Sequence, residues 1–218
     1  YKKYNLNSLQ TISYGSEVMP EATLCKINEI FPHVKITQMY GLSEYGVLYS
    51  QSKSNDSLWI KLSDKNIESR VVDGMLQIKS MSTMIGYINA PSPFTQDGWL
   101  MTGDMVEVDE DYIKILGRKS EIINIGGEKV FPAEVENVIQ VMDGVEEVAV
   151  VGEKNAITGQ MVKAVVKLST NESVSEFRKR LREFCKDKLP LYKIPQKVVL
   201  TTEKMHTERF KKDKKVFM

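Results

Sequence analysis

The amino-acid sequence predicts a mixed α/β protein with three parts: the end of a parallel α/β subdomain, a small antiparallel β subdomain and a C-terminal α+β domain. Residues 9–39 show a strand–helix–strand pattern with short connections, which is typical of a βαβ unit in a parallel sheet. Residues 58–117 contain short strand-like segments, and Asp73-Gly74 between two of them is a hairpin signal. A third region begins near Arg118 and, at about 100 residues, is long enough to fold as a domain of its own.

The first region is predicted to place strands at residues 9–14 and 34–39 around a helix at residues 20–31. Pro20 suits the first turn of that helix, because the amide that proline lacks would have no partner there. One face of the helix carries an apolar stripe of Leu24, Ile27 and Ile30. A single βαβ unit cannot cover both faces of its sheet, so we expect further strands of this sheet elsewhere.

The two later regions are predicted from shorter patterns. In the second region the predicted strands are residues 58–62, 69–72, 75–80, 105–108 and 112–116. In the third region they are residues 121–125, 145–151, 161–168 and 195–200. Helices are predicted at residues 132–142, which begin with a proline, and at residues 173–186, which begin with a capping box between Ser173 and Glu176.

Composition excludes several classes of function. The 218 residues carry 30 Lys and Arg against 29 Asp and Glu, a formal net charge of +1, which gives no general electrostatic case for nucleic acid or a membrane surface. No uncharged apolar run approaches the roughly 20 residues of a membrane span. The 2 cysteines, far apart, favour a reducing compartment and hence the cytoplasm. Because the chain begins at Tyr1 and has no signal peptide, we expect a fragment of a longer protein.

The most informative string is residues 38–44 (QMYGLSE), which follows the second predicted strand. Ligands bind at the carboxyl ends of parallel strands. There Tyr40 could stack on a base, Gly41 lets backbone approach, Ser43 could bind a phosphate oxygen and Glu44 could hold Mg²⁺. A loop with a core tyrosine and a surface glutamate is about as good an interpretation of this string taken alone.

Two further strings carry candidate binding residues. In residues 97–104 (DGWLMTGD), Asp104 could accept hydrogen bonds from a ribose diol, although an aspartate in a turn is the commoner explanation. Arg118, beside the predicted domain boundary, could donate a pair of hydrogen bonds to a ribose or a phosphate. The turn at Gly126-Gly127 permits close backbone approach to a ligand. An interdomain linker followed by an ordinary hairpin would explain these last residues equally.

The tail, residues 207–215 (TERFKKDKK), is strongly basic. Such a run is usually a solvated end. A flexible RNA-contacting tail is an alternative, which strong and salt-sensitive RNA binding would support.

In this order and spacing, the strings closely resemble the adenylate-forming superfamily of acyl- and aryl-CoA synthetases, peptide-synthetase adenylation domains and luciferases. The resemblance covers nearly the whole chain but only the C-terminal part of such an enzyme, and the upstream Ser/Thr/Gly-rich phosphate loop is absent from this chain. It implies that residues 1–117 complete a nucleotide-binding domain, that residues 118–120 are a hinge and that residues 121–218 are a mobile lid.

The resemblance also implies roles for the residues of the first domain. Tyr40 would stack on adenine, Ser43 would contact the phosphates, and Glu44 would help to bind Mg²⁺. The residues implied to line the nucleotide site are Tyr40, Gly41, Gly15, Ser16, Asp104 and Arg118. The stretch before Gly15 departs from the family, because Tyr14 stands where a glycine is usual.

In the lid, the hinge position is Ser120, where the family usually has Asp or Lys. Gly126, Gly127 and Lys129 match the loop that lines the channel for the second half-reaction. The tail matches the family's Thr-x-Asn-Gly-Lys-Ile-Asp-Arg pattern without gaps and makes Lys211 the catalytic lysine. Phe210 and Lys212 depart from that pattern, so Arg209 and Lys212 remain rivals for the role.

The function implied is that of an AMP-forming ligase, which uses Mg²⁺ and ATP to convert a carboxylic acid to an acyl-adenylate. The ligase then transfers the acyl group to a thiol, for which coenzyme A is the favoured acceptor. The lid would alternate between the two half-reactions. A ligase that loads the phosphopantetheine of a carrier protein, and a non-catalytic remnant or binding module, remain alternatives. The expected partners are the acid, ATP or AMP and the thiol acceptor, with no nucleic acid and no membrane span; the fragment alone is expected to be inactive.

Overall fold

The computed structural model describes residues 1–206, 212 and 214–217, with the backbone alone for residues 215 and 216. It divides into two compact units, Tyr1–Leu116 and Gly117–Met218. Strands and a few helices make up both units, so the predicted mixed α/β class is confirmed.

The first unit begins with a small parallel pair. Strand β1 (Thr11–Tyr14) and helix α1 (Glu21–Ile30) are followed by strand β2 (Lys35–Gln38). β1 and β2 pair in parallel with Tyr14 opposite Gln38, so the chain leaves both strands at the same edge of the sheet. Leu24, fully buried, anchors α1. The βαβ pattern therefore forms as the sequence predicts, with strands that are shorter than expected.

The rest of the first unit is mainly a six-stranded sheet. Its remaining strands, in chain order, are β3 (Tyr40–Leu42), β4 (Gly46–Leu48), β5 (Ser50–Ser52), β6 (Trp59–Leu62), β7 (Glu68–Val72), β8 (Met75–Lys79), β9 (Leu100–Asp109) and β10 (Tyr112–Arg118). The sheet has the order β5-β6-β10-β9-β8-β7, and β3 and β4 form a separate hairpin. Asp73 and Gly74, at the tip of the β7–β8 hairpin, both have positive φ, as their turn requires.

The core of the first unit joins the β3–β4 hairpin to this sheet. Its buried members are Tyr40, Leu42, Leu48, Ile60, Leu76, Ile78, Leu100, Val106 and Ile113. In β3 the burial alternates, with Tyr40 and Leu42 inward and Gly41 outward. The hairpin therefore carries residues of the QMYGLSE string directly into the packed interior.

The second unit is a sheet with two helices on one face. In chain order it contains a 3₁₀ turn (Lys119–Glu121), β11 (Ile123–Ile125), β12 (Glu128–Val130), α2 (Pro132–Gln140), β13 (Val145–Asn155), β14 (Gly159–Leu168), α3 (Val174–Cys185), a 3₁₀ turn (Leu191–Lys193), β15 (Lys197–Leu200) and a 3₁₀ turn (Lys214–Phe217). The strand order is β12-β11-β14-β13, and β15 pairs with β14 in parallel. The Ser173–Glu176 capping box predicted for α3 is present.

Two apolar clusters cover the two faces of the β13–β14 hairpin. Val148, Val150, Val162, Ala164 and Val166 face α2 and α3, where Phe177 and Leu181 are fully buried. Ala149 and Val165 alternate with these residues and pack on the opposite face with Met205 and the partly buried Phe217. The chain after β15 therefore returns across the face that the helices leave open.

Candidate functional site

The two strings predicted to bind nucleotide in the first unit meet through one hydrogen bond. The Tyr40 hydroxyl donates to Asp104 Oδ2 at 2.6 Å, and each residue is only 6% exposed. Tyr40 stands at the start of β3, and Asp104 lies in the middle of β9, 64 residues later. The backbone amide of Asp104 in turn donates to the Thr102 hydroxyl at 3.1 Å. The structure thus brings these predicted residues together, with most of the Tyr40 ring buried in the core.

The glycines of the two strings lie where backbone passes close to backbone. A Cβ on Gly15 would lie 2.7 Å from the carbonyl oxygen of Met39. A Cβ on Gly41 would lie 2.8 Å from the carbonyl oxygen of Gly46. Because real Cβ atoms do not approach that closely, both positions require glycine, and both glycines remain exposed on their other side.

Tyr14 and Ser16 flank Gly15 at the carboxyl end of β1. The Tyr14 hydroxyl donates to Gln38 Oε1 at 3.2 Å, and the Met39 amide donates to the Tyr14 carbonyl at 2.7 Å. Burial raises the pKa of Tyr14 to about 12, so its hydroxyl stays protonated at neutral pH. Ser16 is exposed and has φ of 74°, the left-handed region that β-carbons disfavour. The segments that follow β1 and β2 therefore lie side by side at one edge of the parallel pair.

Ser43 and Glu44 differ in their surroundings. Ser43 is exposed in the turn between β3 and β4, whereas Glu44 is half-buried. The Tyr87 hydroxyl donates to Glu44 Oε1, and the Met84 amide donates to the Glu44 carbonyl oxygen at 2.8 Å. The segment after β8 therefore holds Glu44 through both its backbone and its side chain. Sequence reasoning missed Tyr87, for which no pattern pointed to a contact with residue 44.

Glu44 fits the kind of ligand that Mg²⁺ uses when it arrives with a nucleotide. Such sites take one or two carboxylates, with water and substrate phosphates completing the oxygen shell. Within the described residues, no group of three or more His, Cys, Asp or Glu side chains could hold a metal ion together. The exposed Ser43 hydroxyl and the exposed backbone at Gly41 and Gly15 add polar groups on the same unit.

In the second unit the predicted residues lie on exposed elements. Arg118 ends β10, and Ser120 lies within the 3₁₀ turn Lys119–Glu121. Gly126 and Gly127 form the tip of the β11–β12 hairpin with φ of 59° and 100°, a conformation that a turn of this kind requires. Lys129 is exposed on β12. Each of these residues is thus accessible to a ligand.

The predicted catalytic Lys211 lies outside the described residues, as do Thr207, Arg209, Phe210 and Asp213. Its rival Lys212 is described: the Nζ of Lys212 donates to Glu136 Oε2 at 2.7 Å. Glu136 is 6% exposed and lies on the inward face of α2. Sequence reasoning missed Glu136, although one signal was available, because it lies three residues before Ile139 on the apolar face.

No helix among the described residues is both long and apolar enough to cross a membrane.

The comparisons with known proteins point to one superfamily. Residues 134–211 match the family model of the AMP-binding enzyme C-terminal domain. A long-chain-fatty-acid–CoA ligase of Mycobacterium tuberculosis is 33% identical over 202 residues, which are 85% of this chain and 39% of the relative. A 2-succinylbenzoate–CoA ligase of Geobacillus kaustophilus is 37% identical over 134 residues, 60% of this chain and 27% of the relative.

A solved structure agrees with these relatives. ATP-bound MatB from Rhodopseudomonas palustris superposes with a TM-score of 0.80 at 25% identity, over 94% of this chain and 44% of that one. The chain spans about 40% of the length of the first curated relatives that it matches. The resemblance predicted from the sequence is confirmed: the chain belongs to the adenylate-forming superfamily and carries that superfamily's C-terminal domain.

Proposed function

We propose that this chain is the C-terminal part of an AMP-forming ligase, which activates a carboxylic acid with Mg-ATP and transfers the acyl group to the thiol of coenzyme A. The observation that carries the proposal is the buried hydrogen bond between Tyr40 and Asp104. It joins two strings that were singled out independently for nucleotide binding. The CoA ligases among the relatives support coenzyme A as the acceptor.

In this proposal Asp104 binds the ribose hydroxyls and Tyr40 orients it. A carboxylate accepts about four hydrogen bonds, so the bond from Tyr40 is compatible with a diol as a further donor. The burial of the Tyr40 ring favours this positioning role over stacking on adenine. Ser43, which is exposed three residues after Tyr40, contacts the phosphates. The exposed backbone of Gly15, Ser16 and Gly41 lines the nucleotide site.

The first half-reaction needs negative charge to be stabilised at the α-phosphate. A carboxylate oxygen of the acid attacks the α-phosphorus, and the bond to the leaving pyrophosphate breaks. Mg²⁺ bound with the nucleotide would neutralise phosphate charge. Glu44, held by Tyr87, would supply an oxygen ligand for that ion. Lys211 stabilises the charge that develops on the α-phosphate oxygens.

The second half-reaction uses the residues of the second unit. The thiol attacks the acyl carbon of the adenylate, and AMP leaves. Gly126, Gly127 and Lys129 line the path of the thiol, Arg118 joins the ribose, and Ser120 is the hinge about which the lid turns. The exposed hairpin tip and its positive-φ glycines support this assignment, because they allow a ligand to approach backbone closely.

The proposal is tested by ATP–pyrophosphate exchange with a panel of carboxylic acids, using this chain and the full-length gene product. We expect exchange only in the full-length protein, stimulated by one class of acid. Replacing Asp104 with Asn is expected to raise the KM for ATP. Asp109→Asn is the matched control, because Asp109 ends the same strand, is exposed and pairs with Lys53 instead. No exchange in a folded full-length protein would contradict the proposal and favour a non-catalytic module.

The acceptor is tested separately. The adenylate formed in the first assay is offered free coenzyme A or a carrier protein that bears phosphopantetheine. Acyl transfer to the carrier alone would replace coenzyme A in the proposal with the carrier.

A further inference from the structure

Strand β9 carries a bulge in its pairing with β8. Met75 of β8 lies opposite Met105, and Gln77 of β8 lies opposite Met101. Three residues of β9 therefore lie between these two pairs, where β8 has only Leu76. A bulge bends its strand and redirects side chains, and bulges are common next to active sites.

The three residues of the bulge are Thr102, Gly103 and Asp104. Gly103 has φ of 76°, in the left-handed region that a residue with a β-carbon rarely adopts. Burial alternates before the bulge, where Leu100 and Thr102 are buried and the residue between them is exposed. From Asp104 onwards three consecutive residues are buried. The bulge therefore interrupts the alternation of the strand, and Asp104 lies at that interruption.

The hydroxyl of Thr102 closes the bulge with two hydrogen bonds. It donates to the carbonyl oxygen of Leu76 on the facing strand at 2.7 Å. It also accepts the backbone amide of Asp104 at 3.1 Å. One hydroxyl can do both, because it has one hydrogen and two lone pairs. Thr102, Leu76 and Asp104 are all buried, so this one side chain joins the backbone of Asp104 to β8 away from water.

Asp104 is thus held at two points. Tyr40 donates to one oxygen of its carboxylate, and Thr102 accepts its backbone amide. The first bond constrains the side chain, and the second constrains the backbone from which that side chain projects. A carboxylate that is fixed at both points can accept hydrogen bonds from a ligand without first reorganising.

We propose that Thr102 is a positioning residue for the ribose of the nucleotide: its hydroxyl holds the bulge of β9 and thereby sets the backbone from which Asp104 presents its carboxylate. The inference rests on the proposed function for the ribose. Thr102 acts through Asp104 and not on the nucleotide itself. Valine would fill the same space as threonine, so a role in packing alone makes the hydroxyl dispensable, whereas positioning requires it.

The first experiment measures the bulge on this chain by amide hydrogen exchange, followed residue by residue with NMR. Thr102→Val keeps the shape of the side chain and removes the hydroxyl, whereas Thr102→Ser keeps the hydroxyl and removes a methyl group. We expect the Asp104 amide to exchange about two- to tenfold faster in the valine variant, because it loses its acceptor. The serine variant should exchange near the native rate. Native exchange in the valine variant would overturn the proposed bridge.

Thr95→Val is the matched control. The hydroxyl of Thr95 also makes two bonds, since it accepts the Trp99 amide at 2.9 Å and donates to the Trp99 carbonyl oxygen at 3.3 Å. Both bonds lie before β9 begins at Leu100. The control should leave exchange of the Asp104 amide unchanged. Faster exchange there would show a general loosening of the unit and contradict a specific role for Thr102.

Gly103→Ala replaces Thr102→Val if the valine variant fails to fold. It leaves the Thr102 hydroxyl in place but puts a β-carbon at φ of 76°, so the backbone of the bulge must change. Faster exchange of the Asp104 amide is again expected. Native exchange in this variant would show that the bulge does not set the backbone of Asp104.

The second experiment separates positioning from stability in the full-length gene product. ATP–pyrophosphate exchange is measured with ATP and with ATP analogues that lack the 2′ or the 3′ hydroxyl. A site built to bind a hydroxyl rejects an analogue without it. We expect Thr102→Val to lower the preference for ATP by about tenfold, mainly through a higher KM for ATP, because hydrogen bonds to a charged group are weakened. Thr102→Ser should keep the preference, and so should Thr95→Val.

The outcomes distinguish the inference from the function on which it rests. If the KM values for ATP and for both analogues rise by the same factor, Thr102 is purely structural and positioning is overturned. A native protein that exchanges but does not prefer ATP to the analogues overturns the assignment of the ribose to Asp104. A full-length protein without exchange overturns the proposed function. Hydrogen exchange on this chain still decides whether Thr102 holds the bulge, because that measurement needs no activity.

Discussion

The hydroxyl of Tyr40 donates to the carboxylate of Asp104 at 2.6 Å inside the core of the first unit, where neither residue is more than 6% exposed. A buried hydroxyl and a buried carboxylate each require a hydrogen-bond partner. The bond satisfies both and fixes the side chain of Asp104 relative to the β3–β4 hairpin. It therefore couples the stability of the unit to the geometry of its candidate ribose site.

Tyr40→Phe is expected to destabilise the first unit. Loss of the hydroxyl removes one donor from a buried carboxylate, which costs about 1–3 kcal/mol in the free energy of unfolding. Urea denaturation followed by circular dichroism measures the change. Tyr14→Phe is the control: its hydroxyl bond to Gln38 is longer, 3.2 Å, and only part-buried. Equal losses in the two variants would show that the bond to Asp104 contributes no more to the free energy of unfolding than the bond to Gln38.

Gly41→Ala is expected to destabilise the β3–β4 hairpin. The new Cβ would lie 2.8 Å from one backbone atom of the facing strand and 3.1 Å from another, so the strands must separate. Overpacking of this kind costs about 1–3 kcal/mol.

Ser16→Gly is expected to have the opposite effect and to stabilise the first unit. Ser16 has a left-handed backbone with φ of 74°, which costs a residue with a β-carbon about 1 kcal/mol, and glycine removes that cost. Thermal melting of both variants checks the signs, and a Gly41→Ala protein as stable as the native one would refute the close approach.

Phe177→Ala is expected to cost the second unit about 3–5 kcal/mol, the usual range for a fully buried aromatic side chain. Phe177 is 0% exposed and lies at the centre of the cluster between α3 and the sheet. Val174→Ala on the same helix is the control, because Val174 is 45% exposed. Chemical denaturation measures both changes. An equal loss in the Val174 variant would show that the burial of Phe177 is not what stabilises the unit, since alanine favours the helix in both variants.

Stability is expected to fall at high pH through Tyr14. Burial raises the pKa of this tyrosine to about 12 from its ordinary value of 10.0. A raised pKa in the folded state means that the stabilising contribution is complete below the unfolded pKa and is lost as pH rises through the folded one. Ultraviolet difference titration should show Tyr14 ionising after the exposed tyrosines. Tyr14→Phe should remove that late transition and flatten the alkaline loss of stability; an unchanged titration would assign the late transition to another residue.

Much of the fold could be predicted because the local signals agree with one another. The helix predicted at residues 132–142 is observed as Pro132–Gln140, and that predicted at 173–186 as Val174–Cys185. In both cases an apolar stripe, a starting proline or capping box and a bounded length all favour the same helix. The strands were harder to delimit: β9 runs from Leu100 to Asp109 although only residues 105–108 were predicted. Gly103 interrupts the apolar pattern there, but pairing with β8 continues past it to Leu100.

The sequence proposes residues for the candidate site but does not record their contacts. The Tyr40–Asp104 bond, the Tyr87–Glu44 bond and the Lys212–Glu136 ion pair all join residues far apart in sequence. Such contacts are set by how strands and helices pack, and no local periodicity records them. Glu136 illustrates the difficulty, because a charged residue on an apolar helix face is explained only when its distant partners are known.

Glu136 forms ion pairs with Lys212 and Lys214, and these pairs have a consequence for how the chain is made. Lys212 follows Glu136 by 76 residues, so a ribosome adding roughly 5–20 residues per second makes it about 4–15 s later. During that interval α2 and the β13–β14 hairpin can already be assembled, while the carboxylate has neither of its counter-charges. It must then stay hydrated or take up a proton, since burying a lone carboxylate costs several kcal/mol. The nascent unit is therefore expected to keep this side of α2 accessible to water and to chaperones until Lys212 and Lys214 emerge from the ribosome. Folding of the unit is then completed only after both lysines have been synthesised.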